Sequence, residues 1–230
     1  MFISGFQKMT LLDYPGKVAC TIFTGGCNFR CPFCHNALLV TEIDKNSAME
    51  AGEILSFLEK RKGLLDGVCV TGGEPLLQPD IADFIREIKA LGFSVKVDTN
   101  GSFPDRLKEI VNGGLCDYVA MDVKNRPEKY AETIGVKDFD LAPVKESIAF
   151  LTGCGTDFEF RTTVVKEFHT AEDIEAIAKW IKGAPKYFLQ NFVDSGNLIC
   201  GGLNSVDKET MESMRISASK HIKNTYLRGI

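Results

Sequence analysis

The chain has 230 residues, a formal net charge of −4 and 44% hydrophobic residues, the make-up of a soluble globular protein. Its charges are interspersed, which gives no support for binding nucleic acid or an acidic lipid surface. No apolar run approaches the roughly 18 residues of a membrane span, and the start Met1–Phe6 lacks the basic-then-apolar order of a secretory signal.

Eight cysteines in such a chain point to a reducing compartment, the cytoplasm, and away from a disulfide framework. No linker interrupts the pattern. The expectation is one domain over residues 1–230, with an N-terminal extension over 1–17 and a C-terminal helix over about 207–223.

In chain order, Val18–Thr24 is apolar, β-branched and aromatic, and ends at Gly25-Gly26. Ser47 and Glu50 form a capping box ahead of Ile54, Leu55, Phe57 and Leu58. A second strand, Asp66–Thr71, ends at Gly72-Gly73. Pro79 sits where a helix begins; Ile81, Phe84, Ile85, Ile88 and Leu91 follow at helical spacing, and Gly92 offers a stop. Ser94–Asp98, Asp117–Asp122, Asp157–Val165 and the weaker Lys186–Phe192 complete six strands. Ile174, Ile177, Ala178 and Ile181 make one more helical stripe. Asp207 caps a last helix carrying Met211, Met214, Ala218 and Ile222.

Strands alternating with helices predict βαβ units and a parallel sheet. Six units are too few for a closed eight-stranded barrel, so the expected α/β fold is an open, partial (β/α)6 barrel or a doubly wound sheet. In both, ligands bind at the carboxyl ends of the strands. The unusual residues lie there: Gly25-Gly26-Cys27, Gly72-Gly73-Glu74, Asp98-Thr99-Asn100 and Asp122-Val123-Lys124.

Three cysteines crowd into eight residues, Cys27, Cys31 and Cys34, in a C-x3-C-x2-C spacing. Thiolates ligate iron–sulfur clusters, and a cubane takes four ligands. Three cysteines leave one iron open, and an open position marks a metal site that does chemistry. A structural zinc site with His35 as fourth ligand is the alternative. It is disfavoured because the neighbouring side chains of Cys34 and His35 diverge and no second C-x2-C pair follows.

The spacing, with aromatic Phe33 before the last cysteine, resembles the signature of the radical S-adenosylmethionine (SAM) superfamily. The resemblance implies a [4Fe–4S] cluster on Cys27, Cys31 and Cys34, SAM on its open iron, and formation of a 5′-deoxyadenosyl radical. Gly72-Gly73-Glu74-Pro75 resembles that family's second motif, which meets the SAM amino group. Phe33, His35, Asp98, Asn100, Asp122, Val123, Lys124 and Arg161 are the other candidates for the SAM pocket; Arg161 offers a planar fork for a carboxylate. His169 and His221 read as surface residues. Cys20 and Cys69 read as small hydrophobes within strands.

Met9–Val18 together with Thr24–Asn36 closely resembles the anaerobic ribonucleoside-triphosphate reductase activating proteins. The implied reaction is hydrogen abstraction from a backbone glycine of a partner glycyl radical enzyme, with flavodoxin or ferredoxin as electron donor. The pattern departs from pyruvate formate-lyase activators at Gln190-Asn191-Phe192, where those usually carry a histidine. Two alternatives are carried forward. One is small-molecule radical chemistry such as 7-carboxy-7-deazaguanine synthase, whose Thr-Gly-Gly-Glu-Pro-Leu-Leu-Gln is matched by Thr71–Gln78. The other is a non-enzymatic iron–sulfur or zinc protein.

Overall fold

A computed structural model describes residues 1–42, 48–194 and 196–230. Its strands are β1 (Ile3–Thr10), β2 (Ala19–Thr24), β3 (Gly67–Gly72), β4 (Ser94–Thr99), β5 (Tyr118–Asp122), β6 (Asp157–Val164), β7 (Tyr187–Asn191) and β8 (Thr225–Arg228). The described helices are α1 (Ala37–Thr41), α2 (Ala51–Glu59), α3 (Ile81–Ala90), α4 (Pro104–Asn112), α5 (Tyr130–Ile134), α6 (Ala142–Gly153), α7 (Ala171–Trp180) and α8 (Lys208–Ser219).

The strands form one eight-stranded sheet in sequence order, β1 to β8. β2 to β8 are mutually parallel and β1 pairs antiparallel with β2. The order ends at β1 and β8, so the barrel is open, as the sequence pattern predicts. The six expected strands are β2 to β7, with ends shifted by at most one residue. β8 is a seventh parallel strand, and β1 is an edge strand within the expected 1–17 extension. Both escape the hydrophobic pattern because they lie at sheet edges and are only partly buried.

The outward faces of the central strands are made by Val68, Val70, Val95, Val97, Val119 and Met121. They pack in one core with Ile54 and Leu58 of α2, Phe84, Ile85 and Ile88 of α3, and Leu107 and Ile110 of α4. A strand's side chains alternate, so the opposite faces point into the barrel. There they are polar: Thr21, Lys96, Asp98, Glu159, Arg161 and Thr163. At the N-terminal end of the strands, Tyr14 is buried against Ala19 and Tyr118.

α3 begins at Ile81, two residues after Pro79, and Gly92 follows its cap at φ +93°, the left-handed conformation a helix stop requires. Asp207 caps α8 by accepting from the Thr210 N–H, and the helix ends at Ser219, short of the expected 223. Ser47 of the expected capping box lies outside the described residues. Glu50 is the residue before α2, and its side chain makes no cap bond. Among the described residues no helix is long and apolar enough to cross a membrane.

Candidate active site at the strand ends

The loop that follows β2 carries the three cysteines, and its backbone is held from four sides. Gly25 N–H donates to the Phe2 carbonyl (3.0 Å), Gly26 N–H to Leu39 (2.7 Å) and Arg30 N–H to Ile134 (2.9 Å). The buried Gln78 amide donates to the Gly25 carbonyl (2.8 Å). Asn36 donates to the Gly72 carbonyl (3.0 Å).

The second motif is the other half of this clamp. Gly73 N–H donates to Thr24 (2.9 Å) and Glu74 N–H to Gly26 (2.8 Å). Gly72 has φ +117°, and a Cβ at Gly73 would meet the Gly26 carbonyl at 2.0 Å. The two glycines therefore admit the backbone of the cysteine loop itself. Glu74 lies behind the wall, fully buried. It accepts from Leu76 N–H (3.0 Å), the Thr99 hydroxyl (2.8 Å) and Asn100 N–H (2.6 Å), tying the end of β3 to that of β4. Burial pushes its carboxyl up to about 7 against the pull of those bonds.

Cys27, Cys31 and Cys34 are free thiols that line a common cavity of about 300 Å³ with Phe33, His35, Gly72, Gly73, Asp98, Asn100, Asp122, Lys124 and Arg161. Of the residues expected in the site, Glu74 and Val123 stay out of the cavity, buried behind it. Asp13, Asn36, Thr71, Thr163 and Gln190 line it as well.

Opposite the cysteines runs a chain of alternating charges. Lys96 pairs with Asp98, Arg161 with both Asp98 (3.0 Å) and Asp122 (2.9 Å), and Lys124 with Asp122 (2.9 Å). Asp122 and Arg161 are register partners on neighbouring strands. Burial alone would raise both carboxyls, but Arg161 and the lysines hold them below the usual range. Both aspartates are therefore ionised, and the Arg161 fork already grips two of them.

The residues fit an iron–sulfur cluster. Burial pushes the free Cys27 thiol up to about 11 and Cys31 to about 12, while Lys124 works in the other direction. Phe29 N–H donates to Cys27 Sγ (3.3 Å) and the Asn100 amide reaches the same sulfur at 3.7 Å, donors that suit a thiolate. Among the described residues no three His, Cys, Asp or Glu side chains close round a point for a single ion. A cubane needs ligands set around a larger body, each on its own iron. His35 stacks on Phe192 (5.6 Å between centroids, 16°), and nothing brings it into a zinc set.

His169 corrects the expectation of a surface residue. It is buried; Nδ1 accepts from Val165 N–H (3.1 Å), which leaves Nε2 to donate to the Lys124 carbonyl (2.8 Å). Its ring stands edge-on to Phe33. A single histidine between Phe168 and Thr170 has no sequence pattern that distinguishes it from an exposed one. His221 is partly exposed, 3.5 Å from Glu175.

Residues 21–181 match the family model of the radical SAM superfamily. The chain belongs to that superfamily. Its likeness extends over full length to a protein of Methanocaldococcus jannaschii provisionally named a glycyl-radical enzyme activating enzyme: 34% identity across 99% of this chain and 96% of the relative. The pyruvate formate-lyase-activating enzyme of Clostridium pasteurianum is 26% identical over 80% of this chain and 84% of its own. The fold is that of SuiB from Streptococcus suis bound to its precursor peptide, at a TM-score of 0.74 and 17% identity, covering 91% of this chain and 48% of SuiB. Within the superfamily the chain thus groups with the glycyl-radical enzyme activating proteins, and the superfamily's cofactors are a [4Fe–4S] cluster and SAM.

In this radical SAM protein the strand-end cavity does not stand alone. An inner cavity of about 680 Å³ shares Asp13, His35, Asp98, Arg161 and Gln190 with it and extends past Lys96 and Glu159 to Arg228 and Gly229 at the sheet edge. Lys96 and Asp13 were not among the expected site residues. Lys96 carried one cue, its place two residues before Asp98 on the same strand face. Asp13 lies in the stretch that carries the family resemblance.

Proposed function

We propose that this protein is a glycyl-radical activase whose partner is an anaerobic ribonucleoside-triphosphate reductase. The observation that carries the reading is the common cavity: three thiols on one wall, four alternating charges on the other, and a wide inner cavity leading to the open edge of the barrel.

In this reading Cys27, Cys31 and Cys34 would hold the [4Fe–4S] cluster. Held there, and reduced by a flavodoxin or ferredoxin of the cytoplasm, the cluster would supply one-electron chemistry for reductive cleavage of SAM, toward hydrogen abstraction from a glycine of the partner. The chain's own residues bind and orient. Gly73 and Glu74 use their N–H groups on the cysteine loop, so the backbone here offers carbonyl acceptors to an amino group. Lys124 and Arg161 supply positive charge for a carboxylate, while Asp98 and Asp122 keep those cations fixed and offer acceptors to hydroxyls. Asn100, His35 and Phe33 complete the lining, and Asn100 donates to Asn28 at 2.9 Å. Buried Phe33, between Cys31 and Cys34 in the chain, lines the same cavity as both.

The test is anaerobic reconstitution with iron and sulfide, reduction, and addition of SAM with and without the reductase, beside Cys31→Ala. The expected result is 5′-deoxyadenosine from the wild type alone and a glycyl doublet in the EPR spectrum of the reductase. Deoxyadenosine with no glycyl radical would move the reading to another glycyl radical enzyme or to small-molecule chemistry of the 7-carboxy-7-deazaguanine synthase kind. No cleavage by a cluster-loaded preparation would overturn it.

A further inference from the structure

Three large apolar side chains within four residues stand in solvent where β1 runs into the loop before β2: Met9 is 63% exposed, Leu11 68% and Leu12 90%. Such exposure is ordinary on a fraying loop, but this loop is pinned. The Thr10 hydroxyl accepts from the N–H groups of Leu12 (3.2 Å) and Asp13 (3.3 Å). Asp13 accepts from the Thr21 hydroxyl inside the barrel (2.5 Å). Tyr14 is buried beside Tyr118, their ring centroids 6.2 Å apart, and its carbonyl accepts from Lys17 N–H (3.2 Å). Both ends of the leucine pair are thus anchored, and the backbone holds the side chains outward. Three exposed apolar side chains within four residues of a fixed backbone point to an interaction site.

Its position says what covers it. Leu12, Asp13 and Pro15 line the inner cavity together with Val193, Arg228 and Gly229. A group that reaches the strand-end site by this route passes Leu12. Met9 and Leu11 line neither cavity. A small substrate held within would leave them bare, whereas a protein inserting a loop would cover them with the surface that flanks the loop.

We propose that Met9, Leu11 and Leu12 form a docking surface for the partner protein, which sets an apolar patch on them while its glycine loop occupies the inner cavity. The proposal rests on the activase reading above. It gives the β1–β2 loop a part in partner recognition that is separate from cluster and SAM chemistry.

The experiment compares wild type with the double variant Met9→Glu/Leu11→Glu, which leaves Leu12 and both cavities unaltered. Three rates are read from cluster-loaded, reduced protein: SAM cleavage alone, glycyl radical formation on an anaerobic ribonucleotide reductase, and radical formation on a short peptide copied from that reductase's glycine loop. The variant is expected to lose roughly ten- to a hundredfold in kcat/KM toward the reductase, as removal of central interface side chains does, with SAM cleavage and the peptide reaction unchanged. Equal activation of the reductase by both proteins would overturn the proposal. Parallel loss on reductase and peptide would overturn it too, by placing the effect in the cavity. A wild-type dimer that the variant dissolves would assign the patch to a second copy of this chain. Wild type that cleaves SAM but forms a radical on neither substrate would instead defeat the functional reading from which the proposal starts.

Discussion

Arg161 on β6 donates to Asp98 on β4 over 3.0 Å, passing across β5, where its Nε also holds Asp122. This pair spans the inside of the barrel and sets the geometry of the wall opposite the cysteines. Arg161 is itself only 16% exposed and bridges the two carboxylates, each of which also pairs with a lysine.

Replacing Arg161 with Met is therefore expected to leave two ionised carboxylates short of a cation. Removing one partner of a buried ion pair costs about 3–5 kcal/mol. Chemical denaturation under anaerobic conditions measures the loss, and SAM binding to folded variant is expected to weaken with it. An unchanged denaturation midpoint would show that Lys96 and Lys124 suffice.

Gly73→Ala should displace the cysteine loop, because the added methyl meets the Gly26 carbonyl at 2.0 Å. Overpacking of this kind costs about 1–3 kcal/mol. Iron and sulfide per chain after reconstitution are the measurement; the expected outcome is a clear drop below wild type. Full cluster loading would mean that the loop has slack.

His169 joins the end of β5 to the cysteine loop through the Lys124 carbonyl and the Phe33 ring. His169→Phe keeps a ring against Phe33 and loses the bond, leaving a buried acceptor unmet at about 1–3 kcal/mol. His169→Gln supplies an N–H again and should recover part of the loss. Burial lowers the His169 pKa from its ordinary 6.5, so the folded state binds its proton less readily than the unfolded one. Its stabilising contribution is complete above about pH 6.5 and falls as pH drops below that value. Denaturation midpoints at pH 7.5 and 5.5 should show a smaller acid-side loss in the Phe variant than in wild type.

Arg228 closes the far side of the sheet. It makes two bonds to the buried Glu159 (3.0 and 3.3 Å), lies 3.6 Å over the Phe188 ring, and shares Glu159 with the Tyr118 hydroxyl (2.8 Å). Arg228→Ala is expected to cost about 3 kcal/mol, the low end for a broken buried pair because Arg228 is partly exposed. Faster backbone hydrogen exchange across β8, with β3 and β4 unaffected, would locate the damage. Uniform change or none would contradict this placement.

The cysteine loop was legible without the fold because its chemistry is local. Three thiols in eight residues, with glycines before them, announce themselves by spacing. Strands β2 to β6 were equally plain and β7 less so; where both faces of a parallel strand are apolar it leaves a continuous run such as Gly67–Val70 or Val119–Met121. Residues whose work depends on distant partners were harder. Asp98, Asp122 and Arg161 stood out as polar residues on apolar strands, but that the arginine grips both aspartates is a fact of three strands lying side by side. Glu74 stood out by its motif, and that its carboxylate ties the ends of β3 and β4 together is likewise a fact of the fold.

By itself, then, the sequence determined the cluster-binding pattern, the alternation that makes an open parallel barrel, and the strand ends where the site lies, because each depends on neighbours along the chain. Only the tertiary structure decided that His169 is buried, that β1 and β8 flank an open edge, that Lys96 and Asp13 face the cavities, and that Met9, Leu11 and Leu12 stand in solvent. Those properties come from which surfaces meet across long separations in the chain, and the free energy of burying them is not written in any local pattern.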